Sequence, residues 1–197
     1  MSGSNAKRDA RNAAKLALAK LSPEEIAERS RLACGHLLDR WPEPKAVIAY
    51  LALPQEADPA GAMAVWRARG VTVCVPRTDW DRRTMEPAVL GDRVIEGERG
   101  IRTAEPGQPT VELDSLNLVV VPGLSFTRDG RRLGRGAGFY DRFLRRVPAW
   151  VETVGLALSP QIAEDVPTEP HDHPVRWLAT EDGVAGCRPR QHDPEGV

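Results

Sequence analysis

The sequence predicts an α/β fold with a mostly parallel central sheet, and three observations point to it. Short apolar, β-branched runs occur at Ala46-Val47-Ile48-Ala49-Tyr50-Leu51, at Val71 to Val75, and at Leu118-Val119-Val120-Val121. Such runs read as strands buried on both faces. A helical stretch separates the first two, giving strand, helix, strand at the spacing of a parallel βαβ unit. A glycine-rich loop follows the third run and opens onto another helix. Together these predict helices flanking the sheet in a Rossmann-like three-layer arrangement, with further helices ahead of it at the N-terminus.

Residues from about Asn5 to Lys20 are rich in Ala, Lys and Arg and contain little that would break a helix. A second helix restarts at Leu21-Ser22-Pro23-Glu24-Glu25. Ser22 suits the N-cap, Pro23 the first helical position, and Glu25 the reciprocal place in a capping box. This helix should run to about Asp39 and stop before Trp41-Pro42. Asp58-Pro59 opens a third helix that ends near Arg69-Gly70, with Gly70 suited to a left-handed C-terminal residue. From Arg77 to Pro109 charges, glycines and Pro106 predict loops with short edge strands. Residues Gly138 to Arg146 should be helical, and Thr153 to Leu158 and Trp177 to Thr180 are later strands. A single domain over residues 1–187 is expected, with residues 188–197 a frayed tail rich in Pro, Asp and Gly.

Composition narrows the function classes. A net charge of −1 over 197 residues excludes a globally basic nucleic-acid binder, though not a local basic site. Cys34, Cys74 and Cys187 are widely spaced and form no C-x-x-C, so free thiols are expected and a structural zinc site is not. No apolar run reaches the roughly 18–20 residues needed to span a bilayer, and Met1 to Ala10 lack the apolar stretch of a secretion signal. The expectation is a cytoplasmic protein, taken as a monomer, without nucleic-acid or membrane partners.

The chemistry concentrates after the third strand. Gly134, Gly136 and Gly138 alternate just before a predicted helix, so successive N–H groups could turn onto an anion, aided by the helix N-terminus. Seven arginines and two aspartates between Arg128 and Arg146 give a local charge of +5. That excess predicts a polyanionic ligand. Asp141 is then a natural carboxylate for Mg²⁺. The segment is not a Walker A loop, and a tight strand-to-helix turn would use similar glycines.

Pro122-Gly123-Leu124-Ser125-Phe126, followed by Gly130-x-Arg132-Leu133-Gly134-Arg135-Gly136-x-Gly138-Phe139-Tyr140-Asp141-Arg142, closely resembles the signature of the 5-formyltetrahydrofolate cyclo-ligase family, also called 5,10-methenyltetrahydrofolate synthetases. Further segments resemble the family in the expected order. These are the helix with Lys7 and Arg11, Ala49-Tyr50-Leu51 to Glu56-Ala57-Asp58, Gly100-Ile101 to Glu105-Pro106, Gly155-Leu156-Ala157, Gln161, and Val166-Pro167 through Asp172.

The resemblance implies specific roles. Lys7 and Arg11, four apart on one helix face, would bind ATP together with Arg132, Leu133, Gly134, Arg135, Gly136, Ala137, Gly138, Phe139 and Tyr140. Leu51 and Glu56 would contact the folate, the carboxylate accepting pterin N–H groups, and Arg135, Gly136, Ala137, Gly138 and Phe139 would line the same side. Asp141 and Asp172 would hold Mg²⁺, with ATP as co-substrate, and Arg135 and Asp141 would be catalytic. Asp172 lies between His171 and His173, and an H-x-H run also invites a transition metal, but no further Cys/His cluster supports one. One departure is Arg176, where an acid often follows the second metal carboxylate.

The implied reaction converts 5-formyltetrahydrofolate to 5,10-methenyltetrahydrofolate with release of ADP and phosphate. A phosphorylated formyl group (an iminium phosphate) would be the intermediate, formed by positioning and charge stabilisation without a covalent nucleophile. Two other readings stand beside it: a non-catalytic homologue that binds folate or nucleotide, and a polyanion-binding module using Arg128–Arg146. The second would need aromatic residues for stacking, and only Phe126, Phe139, Tyr140 and Phe143 lie near.

Overall fold

The computed structural model describes residues 3–188 of the chain. Most of the expected tail, residues 189–197, lies outside the described residues. Helix α1 spans Gly3–Leu18 and α2 spans Pro23–Arg40. The predicted capping box is formed, with Ser22 Oγ accepting from the Glu25 amide and Glu25 accepting from the Ser22 amide.

Strand β1 (Ala46–Ile48) leads through α3 (Ala60–Ala68) into β2 (Thr72–Asp79), and the two strands pair in parallel. Gly70 has φ +80°, as the helix stop requires. Strand β1 is shorter than its apolar run. The Ala49 amide still bonds Cys74, but Tyr50 leaves the ladder and donates from its buried hydroxyl to the Ala57 carbonyl at 2.5 Å.

The region read as loops with short edge strands is more ordered than expected. Strand β2 continues to Asp79 and pairs antiparallel with β3 (Thr84–Val89) over six residues. Only β4 (Val94–Glu96) and β5 (Arg102–Ala104) are short, and they pair with each other. Pro within a run argues against a strand, yet this hairpin accommodates two. Here Pro76 and Pro87 sit directly opposite each other. Their carbonyls accept from the Thr103 hydroxyl and the Val111 amide, both at 2.9 Å, outside the β2–β3 pair. The pair is therefore non-hydrogen-bonded, and the missing N–H groups cost no ladder bond.

The remaining strands are β6 (Leu118–Val121), β7 (Ser125–Thr127), β8 (Arg132–Leu133), β9 (Glu152–Leu156), β10 (Ile162–Ala163), β11 (Trp177–Thr180) and β12 (Gly183–Gly186). Helix α4 (Phe139–Leu144) is shorter than the predicted Gly138–Arg146. The central sheet has the order β12-β11-β9-β6-β1-β2-β3. Its inner five strands are parallel and both edges, β12 and β3, are antiparallel.

Alternate residues feed two cores, as strand geometry demands. Val47, Leu118, Val120 and Trp66 pack on the face covered by α1, α2 and α3. Ile48, Val119, Val121, Phe126 and Phe143 pack on the other face, covered by the β7–β8 hairpin and α4. The three layers are present, with the second face covered thinly. Among the described residues, no helix is long and apolar enough to cross a membrane.

Candidate active site

From β1 the chain winds to β2 on one side, and from β6 it winds to β9 on the other. The strand order thus reverses between β1 and β6. In open α/β sheets the crevice outside the carboxyl ends at such a reversal binds ligands. Two segments leave the sheet there, Ala49 to Glu56 after β1 and Pro122 to Asp141 after β6.

In the first segment Glu56 is buried. Its Oε2 accepts from the Leu53 amide at 2.9 Å and its Oε1 accepts from Arg135 Nε at 2.7 Å. A carboxylate and a guanidinium 79 residues apart therefore meet in the crevice. The Arg135 side chain is 39% exposed and makes no second ion pair with any described residue, so its two Nη groups remain open.

The second segment doubles back as the β7–β8 hairpin before reaching the glycines, a feature its sequence did not disclose. Buried Gln161 pins the hairpin base, donating to the Gly123 carbonyl at 2.6 Å and accepting from the Leu158 amide at 2.8 Å. Gly136 and Gly138 have φ +108° and +70°, so this loop requires glycine at both. Gly134 has no positive φ and serves close approach instead. A Cβ there would lie 2.8 Å from Arg132 Nη1.

Arg132 itself is buried beneath the loop. Its Nη2 donates to Asp141 Oδ1 at 2.5 Å, while its Nε has no protein partner. Tyr140 Oη is likewise buried without a partner, and burial pushes its phenol well above the usual range. Helix α4 has only six residues and no side-chain N-cap, so its dipole contributes less than the expected longer helix would.

The arginine excess is not one patch. Arg132 and Arg135 line the crevice, but Arg131 pairs with Asp129 and Asp165, and Arg142 donates to the Arg83 and Ala137 carbonyls. Phe126 and Phe143 are fully buried and Phe139 nearly so, which leaves little stacking surface for a polyanion-binding module.

Helix α1 closes the third side. Lys7 Nζ lies 2.7 Å from Asp172 Oδ2 and 2.9 Å from Glu169 Oε2, and Arg11 Nε donates to the Gly134 carbonyl at 2.9 Å. Burial works against the Lys7 charge, but its bonds to Asp172 and Glu169 outweigh burial and hold its pKa above the ordinary 10.5. Burial likewise opposes ionisation of Asp172. Hydrogen bonds from Lys7 and the Glu169 amide prevail, so its carboxyl titrates below the ordinary 3.8. The neighbouring His173 amide donates to Asp141 Oδ1 at 3.3 Å, which ties the two aspartates' surroundings together.

All the expected site residues line this one pocket, from Lys7 and Arg11 through Leu51 and Glu56 to Arg132–Asp141 and Asp172. Sequence reasoning missed Glu169 and set His171 aside with the H-x-H run, yet their ligand atoms lie with those of Asp172 within 4.8 Å of one another. It also missed Pro76, Thr78 and Met85, which carry no motif and reach the pocket through the unforeseen β2–β3 hairpin, and Arg102 at the start of β5, next to Ile101 of the segment singled out above. His173 does not line the pocket, so the two histidines of H-x-H do not share a centre. Arg176 lines a separate cavity beyond α4 and does not replace an acid at this site.

Residues 3–181 match the 5-formyltetrahydrofolate cyclo-ligase family. The chain belongs to that family. It is 36% identical over 175 residues to the 5-formyltetrahydrofolate cyclo-ligase of Escherichia coli, covering 81% of this chain and 92% of the relative. The mouse 5-formyltetrahydrofolate cyclo-ligase is 28% identical over 195 residues, with 92% and 96% covered. Among solved structures, Aquifex aeolicus 5,10-methenyltetrahydrofolate synthetase superposes with a TM-score of 0.76 at 25% identity, covering 96% of this chain and 99% of that one. Family membership thus spans all three pocket walls, including α1.

Proposed function

We propose that this protein closes 5-formyltetrahydrofolate to 5,10-methenyltetrahydrofolate, converting ATP to ADP and phosphate. One observation carries this reading. Glu56, the glycine loop with Arg135, the Asp141 and Asp172 carboxylates, and the Lys7/Arg11 face of α1 converge on a single pocket at the sheet's reversal point. A donor-accepting carboxylate, an anion-binding loop and a carboxylate pair match a pterin, a triphosphate and a divalent cation.

The proposed chemistry begins when the formyl oxygen attacks the γ-phosphorus and ADP leaves. Phosphorylation turns a poor leaving group into a good one. N10 then adds to the formyl carbon, N10 loses its proton, and inorganic phosphate departs with the former formyl oxygen. Glu56 accepts pterin N–H donors, and the backbone of Gly134 to Gly138 with Arg132 beneath it receives the phosphates. Arg135 stands between the two ligands and neutralises charge on the transferred group. No cysteine is called on as a nucleophile. All three are free, and burial pushes Cys74 up to about 12 and Cys187 to about 11.

The residues fit Mg²⁺. Asp172 and Glu169, whose ligand atoms lie together, and Asp141, which lines the same pocket, offer hard oxygen donors, as that ion prefers. Asp141 and Asp172 would hold it, and when bound it would offset negative charge on the phosphates.

Near-ultraviolet absorbance tests the reading. With 5-formyltetrahydrofolate, ATP and Mg²⁺ the methenyl chromophore should grow, and EDTA or omission of ATP should abolish it. Folate binding without any chromophore would instead establish a non-catalytic homologue.

A further inference from the structure

We propose that Arg102 is a specificity-determining residue that receives the glutamyl carboxylates of the folate tail, an inference that rests on the reaction proposed above. Among the cations that line the pocket, Lys7, Arg132 and Arg135 are each committed to a carboxylate. Arg11 and Arg102 form no ion pair with any described residue. Arg11 sits on the glycine-loop side, bonded to the Gly134 carbonyl. Arg102 sits elsewhere, and its Nη2 donates to the Ala52 carbonyl at 2.8 Å.

Contacts along the wall give Arg102 its place. The glycine loop meets Glu56 through Arg135, Glu56 binds the Leu53 amide, and Ala52 beside it accepts from Arg102. Arg102 therefore borders the segment that carries Glu56, and no hydrogen bond among the described residues joins it to the phosphate loop. A folate whose pterin is held at Glu56 and whose formyl group faces the loop has one further anionic part, its glutamyl tail. That part leaves away from the loop, and off the glycine-loop side Arg102 is the lining cation without an ion pair among the described residues.

The side chain is suited to the role. One neutral acceptor fixes the guanidinium while leaving the rest of its fork free, and a fixed fork pairs well with a carboxylate. Its strand is anchored too, since the adjacent Thr103 hydroxyl donates to Pro76 of β2. Glu96 lies opposite Arg102 in the β4–β5 ladder, yet the two form no ion pair. The positive charge is thus exposed, held and without an ion pair to any described residue, in a lining that also includes the apolar Met85 and Ile101.

The test compares two substrates with the full-length protein: 5-formyltetrahydrofolate, and an analogue in which methylamide replaces the glutamate. Arg102→Ala should raise KM for the glutamylated substrate about tenfold, the scale of a charge-assisted bond, with kcat within about twofold. KM for the neutral-tailed analogue should not move, and Arg102→Lys should recover part of the loss. Equal KM increases for both substrates would show that Arg102 only holds the Ala52 segment in place, and no change for either would remove it from recognition; either result overturns the assignment. A wild-type protein that converts neither substrate would overturn the proposed reaction itself, and this role with it.

Discussion

Two ion pairs in the pocket contrast in how they are made. Arg132–Asp141 joins residues nine apart across the glycine loop, whereas Lys7–Asp172 joins residues 165 apart, from the first helix and a late loop. The first arises wherever the loop folds. The second exists only once α1 has docked on the finished sheet. Under the proposed reaction the difference predicts a division of labour: the loop's groups act on the transferred phosphoryl, and the assembled wall sets how tightly ligands are held. Loss of the loop's Arg135 should therefore lower turnover, and wall variants should weaken affinity.

The largest effect should come from Arg135→Ala, with kcat reduced by about 10²-fold or more, the usual result of losing a transition-state charge partner. Single-turnover kinetics would measure it. A variant with wild-type kcat and a raised KM would break the division between loop and wall. Asp141→Asn comes next, and should raise the Mg²⁺ concentration for half-maximal activity by about tenfold or more, on the scale seen when a metal-site carboxylate is altered. A metal titration of activity reads this directly.

Lys7→Met should raise KM for ATP by about tenfold, equivalent to ~1.4 kcal/mol, while leaving hydrogen exchange in β7 and β8 unchanged. Its pH dependence sharpens the point. Asp172 is held below its ordinary 3.8, so its contribution to docking is present above that value and fades as pH falls through the lower folded value. Lys7 is held above 10.5, so its contribution is present below that value and fades as pH rises through the higher folded value. Protease resistance of α1 should therefore stay flat from about pH 5 to 9. A step within that window would show that a group other than Lys7 and Asp172 controls docking of the helix. The smallest effect should be that of Glu56→Gln, a loss of about threefold to tenfold in folate affinity with ATP binding little changed. Isothermal titration with each ligand separately would show the split.

By itself the sequence determined the elements whose signals are local. Repeating apolar runs specify buried parallel strands, and Ser22 with Glu25 specifies a helix start, because each rests on neighbours in the chain. Gly136 and Gly138 specify the loop for the same reason, since positive φ is a property of one residue. Tertiary structure alone decided the rest. Whether Pro76 and Pro87 could share a hairpin depended on their facing each other at a non-hydrogen-bonded position, which no single strand encodes. Seven arginines close in sequence implied one cationic patch, but folding paired or dispersed most of them, because side chains from successive residues face different ways. Glu169 joined the site through Lys7, and Arg102 joined it through Ala52. Contacts between residues this distant are made by packing, and composition and spacing carry no trace of them.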